Sequence, residues 1–181
     1  PQAEQWLAKV PPGADPIKLA SRRADLLTQQ GRKEEARQVL AQIKTTNAEQ
    51  ATRKILVQSM WLRDNKQLDE AYTVVKQALN AQPQNTDLMS EMAMVSEKLK
   101  RFDEMESVLR ELMKRKPEDP HAFNALGYSL ADRNIRLDEA RQLITQALKL
   151  APDDAYIQDS LGWVAFRQGQ YAEALQLLQT A

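Results

Sequence analysis

Residues 155–181 read AYIQDSLGWVAFRQGQYAEALQLLQTA. Two apolar stripes of helical period, Ala155–Gln168 and Tyr171 onward, flank the turn-forming pair Gly169-Gln170. Just upstream, Pro152 and Asp153-Asp154 stop one helix and start the next. The proline cannot continue a helix, and acidic groups favour a helix N-terminus. Outward from Tyr171-Ala172-Glu173-Ala174, the pattern recurs as Leu137-Asp138-Glu139-Ala140, Phe102-Asp103-Glu104-Met105, Leu68-Asp69-Glu70-Ala71 and Lys33-Glu34-Glu35-Ala36. The final members of these tetrads fall 34 or 35 residues apart, and Pro83, Pro117 and Pro152 keep the same interval. Strand-like alternation is absent. A period of that length filled by two amphipathic helices specifies helix pairs that bury their core between neighbours.

The remaining first helices are predicted near Ile17–Gln30, Ala51–Asp64, Thr86–Leu99 and Pro120–Asp132. Their partners are predicted near Lys33–Lys44, Leu68–Ala81, Phe102–Lys116 and Leu137–Leu150. Trp6, Leu7 and Val10 give residues 1–12 the pattern of a second helix from an earlier repeat, broken by Pro11-Pro12-Gly13. With no initiator methionine or signal peptide, and an apolar pattern still running at Ala181, the chain reads as an internal piece of a longer one. Its targeting signal is then expected elsewhere. A glycine or alanine at each periodic position suits a close crossing of two helices, where added bulk costs about 1–3 kcal/mol. Met105 is the exception, and its flexible thioether suits local adjustment.

Composition removes several function classes. With 25 basic and 25 acidic residues the net charge is zero, without the basic excess that phosphate contacts demand. No apolar run approaches the roughly 20 residues of a bilayer span. Without cysteine there is no disulfide framework, thiolate nucleophile or cysteine zinc site, which leaves cytoplasm and periplasm both open. His121 stands alone at a helix start, where a metal would need more ligands and a general base an orienting partner. The recurring acidic pairs suit the first turn of a helix, and Lys114-Arg115-Lys116 suits a last turn. No nucleophile–base pair, phosphate loop or metal cluster stands out, so the expectation is a non-enzymatic protein with no catalytic residue, metal or cofactor.

These residues resemble the tetratricopeptide repeat, a 34-residue helix–turn–helix unit. Leu161-Gly162, Tyr171, Ala174, Leu178 and Ala181 occupy its signature places in the last repeat. Leu126-Gly127, Ala140, Ile144, Ala147 and Pro152 do so in the fourth, with one extra residue around Asn134-Ile135-Arg136. The third keeps Phe102, Leu109 and Pro117 but carries Met92-Ala93 for Leu-Gly. The second keeps Leu68, Ala71, Ala78 and Pro83 but carries Gln58-Ser59. The first keeps Ala24, Leu27, Gly31 and Ala36, with Ala48 where proline is usual. The resemblance implies an all-α fold, a right-handed superhelical solenoid of antiparallel helix pairs. It would be a single array over 1–181, with repeats at 17–48, 51–83, 86–117, 120–152 and a truncated fifth at 155–181.

The resemblance also implies that first helices line a concave groove that binds segments of partner proteins. Its ligand-facing places fall on Arg53, Leu56, Met60, Arg63 and Asp64 in the second repeat, and on Asp87, Ser90, Met94, Glu97 and Lys98 in the third. The fourth contributes His121, Asn124, Tyr128, Ala131 and Asp132, and the fifth Tyr156, Asp159, Trp163, Phe166 and Arg167. The first offers Lys18, Ser21, Asp25, Thr28 and Gln29. One place reads Met60, Met94, Tyr128, Trp163, residue types favoured at adaptable or hot-spot surfaces. The same side chains also suit plain packing between first helices, and Trp163 with Phe166 suits cover for a following repeat. The carboxylate clamp of some such proteins is missing, its places being held by Asp25, Val57, Tyr156 and Ser160.

The stretches Ala122–Asp132 and Tyr156–Val164 are similar to the C-terminal repeats of proteobacterial outer-membrane lipoproteins with tetratricopeptide repeats. That likeness implies an adaptor on the periplasmic side of the outer membrane. Its partners would be a carboxyl-terminal processing protease and cell-wall hydrolases, with proteolysis regulated by presenting substrates. The alternative is a structural assembly factor for pilus or cell-envelope biogenesis.

Overall fold

A computed structural model describes residues 15–180. The expected remnant helix in 1–12, the Pro11-Pro12-Gly13 break and Ala181 lie outside these residues. Every regular element among them is an α-helix. The first helices are α1 (Pro16–Gln29), α3 (Ala48–Asp64), α5 (Thr86–Lys98), α7 (Pro120–Asp132) and α9 (Ala155–Arg167). Their partners are α2 (Lys33–Ala41), α4 (Leu68–Ala81), α6 (Phe102–Arg115), α8 (Leu137–Leu150) and α10 (Tyr171–Thr180). The chain forms two compact units, Pro1–Val95 and Ser96–Ala181, whose boundary falls inside α5. In the first, α1 packs on α2, α3 on α4, and α1 on α3. In the second, α7 packs on α8, α9 on α10, and α9 on both α7 and α8.

Each first helix opens on a side-chain cap. Asp15, Asn47, Asn85, Asp119 and Asp154 accept hydrogen bonds from backbone N–H groups two or three residues on. These bonds satisfy donors that a helix start leaves unpaired. The starts of α2, α4, α6 and α8 carry no such cap. Their first turns hold the acidic pairs Glu34/Glu35, Asp69/Glu70, Asp103/Glu104 and Asp138/Glu139. There the negative charge serves the helix dipole, as the sequence suggests. The acids also reach between repeats: Arg37 pairs with Glu70, Arg110 with Glu139 and Arg141 with Glu173.

The turn inside each helix pair repeats one backbone device. Gly31, Lys66, Lys100, Asn134 and Gly169 all have left-handed φ, from 56° to 79°. The N–H of each following residue returns to a carbonyl five residues back, as in Arg32 to Leu27 at 2.8 Å and Gln170 to Ala165 at 2.9 Å. This is the Schellman closure of a helix C-terminus. In the fourth repeat the extra residue is absorbed at Arg136, which is also left-handed, at 46°.

Two helix bounds differ from expectation by more than one residue. α3 starts at Ala48 rather than Ala51, because the Asn47 side chain accepts from Gln50 N at 2.8 Å and caps it earlier. α2 stops at Ala41 rather than near Lys44. Its terminal carbonyls are taken from outside: Lys54 Nζ donates to Ala41 O at 2.7 Å and to Ile43 O at 2.9 Å. Gln58 Nε2 donates to Leu40 O at 3.2 Å. The residue that replaces the repeat's usual leucine thus caps its neighbour.

The periodic small positions lie deep in the core. Ala36, Ala71, Met105, Ala140 and Ala174 are all buried. At Gly127 a Cβ would stand 2.6 Å from Ile144 Cγ1 and 2.9 Å from Ala140 O, so α7 and α8 cross too closely for a side chain.

Candidate protein-binding faces

In the unit Pro1–Val95, first-helix side chains have divided fates. Met60 and Met94 stay 45% and 43% exposed, and Asp87 and Ser90 are exposed. Leu56 is half-buried, as are Ser21 and Thr28 in α1, while Lys18, Asp25 and Gln29 face solvent. Thr28 is committed to structure, its hydroxyl accepting from Trp61 Nε1 at 2.8 Å. Arg53 pairs with Asp15 across α1 and α3. Arg63, expected on the groove, turns inward: its side chain is 11% exposed and its Nε donates to Glu91 Oε1 at 2.9 Å. Ser59 Oγ donates to the same oxygen at 2.6 Å.

In the unit Ser96–Ala181, α7 and α9 pack on each other and carry this unit's expected site residues other than Glu97 and Lys98. His121, Tyr128, Asp132, Tyr156, Asp159 and Phe166 are exposed, as is Lys98 at the end of α5. Asn124, Trp163, Arg167 and Glu97 are half-buried. Trp163 is stacked on Phe166, with ring centroids 5.4 Å apart and planes 17° from parallel. Phe166 in turn meets Tyr171 at 5.6 Å, and the Arg167 guanidinium lies 5.5 Å from the Trp163 centroid. Stacking and cation–π contact hold these rings in place while leaving their outer surface available.

The face is acidic around Tyr128. Burial first, and then the fields of Asp132, Asp159 and Glu97, push the Tyr128 hydroxyl above its usual pKa. Burial also raises the Glu97 carboxyl, with Asp132 pushing the same way and Lys98 and Arg133 opposing. The sequence supplied these residues one by one; their convergence on one tyrosine needed the packing of α7 against α9.

Among the described residues no group of three or more histidine, cysteine or acidic side chains is arranged to hold a metal ion. No described helix is long and apolar enough to cross a membrane.

Residues 3–152 match the family model described as Psidin, N-terminal TPR repeats region, and residues 130–181 match that described as Tetratricopeptide repeat. A TPR repeat-containing protein of Pseudomonas aeruginosa is 38% identical over 174 residues, which is 96% of this chain and 30% of that protein. The chain therefore spans under a third of that relative's length. Among solved structures, MamA from Desulfovibrio magneticus RS-1 matches with a TM-score of 0.68 at 20% identity, over 92% of this chain and 93% of its own. A tetratricopeptide repeat protein from Parabacteroides merdae matches with a TM-score of 0.70 at 15% identity, over 90% and 64%. At these identities the likeness is one of fold, the helix-pair repeat.

Proposed function

The chain belongs to the tetratricopeptide repeat family, and we propose that it is a non-enzymatic scaffold whose first-helix faces hold segments of other proteins. Proteins of this family mediate protein–protein interactions. The observation that carries the reading is the set of exposed apolar side chains on first helices: Met60 and Met94 in one unit, and Tyr128 with Phe166, stacked on the half-buried Trp163, in the other. Large apolar groups kept in water at a recurring place mark contact surfaces. The finer reading is an adaptor of the LbcA kind on the periplasmic side of the outer membrane, presenting cell-wall hydrolases to a carboxyl-terminal processing protease. It is supported by the likeness of 122–132 and 156–164 to envelope lipoprotein adaptors.

The test is capture from a bacterial envelope extract with the whole chain as bait, compared with Tyr128→Ala/Trp163→Ala. Circular dichroism first establishes equal helicity. A processing protease recovered with hydrolases by the wild type, and lost by the folded double variant, supports the reading. Equal recovery by both baits removes the α7–α9 face from the function, and an empty capture from folded wild type counts against the adaptor.

A further inference from the structure

The α7–α9 face carries charge that its own fold does not use. On the second helices, Glu106, Glu139 and Glu173 are each paired with an arginine. Asp132 and Asp159, exposed beside Tyr128, are in no ion pair among the described residues, and the half-buried Glu97, which accepts a hydrogen bond from Ser129, adds its charge from the end of α5. Asp132 is the last residue of α7, where negative charge opposes the helix dipole. Helix stability gains nothing from it there. The cations nearby are engaged: Arg167 lies over Trp163, and Arg133 lies 4.2 Å from the Phe102 centroid with its Nε donating to Ser129 O. Lys98 offsets part of the field at Glu97.

Resting on the scaffold reading, we infer that this face selects a cationic segment of a partner protein. Lysine or arginine side chains would meet Asp132, Asp159 and Glu97 and stack on the Tyr128 ring. The segment's apolar residues would lie on Trp163 and Phe166. Opposite charge at the rim of an aromatic patch sets both encounter rate and partner choice.

The test uses two fluorescent peptides of equal length and apolar content, one bearing lysines and the other glutamates, titrated against the whole chain at low and raised salt. The lysine peptide should bind more tightly, and its affinity should fall with salt. Asp132→Asn/Asp159→Asn should weaken it by about three- to tenfold and flatten the salt dependence. Glu118→Gln/Asp153→Asn makes the same charge change at exposed loop positions outside α7 and α9 and should leave affinity unchanged. Equal affinity for both peptides, or equal losses in both double variants, overturns the inference. If Tyr128→Ala/Trp163→Ala abolishes partner capture while Asp132→Asn/Asp159→Asn leaves peptide affinity intact, charge selection falls and the scaffold stands. If both are silent, both fall.

Discussion

Ser59 Oγ donates to Glu91 Oε1 at 2.6 Å, joining α3 to α5 through a carboxylate that is only 7% exposed. Arg63 supplies the countercharge from one turn along α3. A sequence departure, Gln58-Ser59 in place of Leu-Gly, thus marks a buried polar network. Glu91 lies among the buried Leu88, Met89, Met92 and Val95 in sequence, and its carboxylate is held there by Ser59 and Arg63.

The first prediction concerns that network. Glu91→Ala leaves the Arg63 guanidinium shielded and unpaired and should destabilise the chain by about 3–5 kcal/mol. Ser59→Ala removes one bond to a charged acceptor and should cost about 1–3 kcal/mol. Replacing Ser59, Arg63 and Glu91 together with apolar residues of similar volume should cost less than Glu91→Ala alone. Urea unfolding of the three variants checks the order.

The second prediction separates the two helical glycines. Gly127→Ala sets a methyl against the Ala140 carbonyl, which cannot move without α8. The clash should outweigh the alanine's helix propensity of about 1 kcal/mol and destabilise by about 1–2 kcal/mol net. At Gly162 a Cβ would stand 2.7 Å from Leu178 Cγ and 2.8 Å from its Cδ2, side-chain atoms of a residue 42% exposed rather than a backbone carbonyl. Gly162→Ala should stay within about 1 kcal/mol of wild type, read from thermal unfolding.

The third prediction uses the left-handed turns. Lys66 (φ 62°) and Lys100 (φ 59°) hold a conformation that costs an L-residue about 1–2 kcal/mol. Glycine removes that cost and adds about 0.5–1 kcal/mol of chain entropy. Lys66→Gly and Lys100→Gly should each stabilise by up to about 1 kcal/mol. Gly31→Ala and Gly169→Ala, where a Cβ meets nothing within 4 Å, should destabilise through the backbone alone. Opposite shifts in unfolding midpoint are the expected result.

The regular parts of this fold were legible because they repeat: the helix pairs, the small crossings at Ala36 through Ala174, and the acidic first turns. Less legible was what breaks the repeat. The left-handed turn suits the residue types at Gly31, Asn134 and Gly169 but not at Lys66 or Lys100, where closure of the helix end overrides residue preference. Likewise the register named Arg63 and Tyr128 alike as groove residues. Only packing shows that Arg63 is spent on Glu91 while Tyr128 stays in water.

The last prediction is electrostatic. Hydrogen bonds from Arg136 and then Arg110, outweighing burial, lower the Glu106 carboxyl to about 2. A folded-state pKa below the unfolded value means that the carboxylate's contribution is full above the unfolded pKa, about 4.5. It is then lost as pH falls through about 2. Both arginines are about 40% exposed and screened by solvent, so the contribution is about 1–2 kcal/mol rather than the full shift. Glu106→Gln should therefore be less stable than wild type by that amount at pH 7. The gap should close as pH drops from 4.5 toward 2, because protonated Glu106 in the wild type loses what glutamine never had. Urea unfolding of both proteins across this range measures it; a gap that holds constant with pH would remove Glu106 as the titrating group.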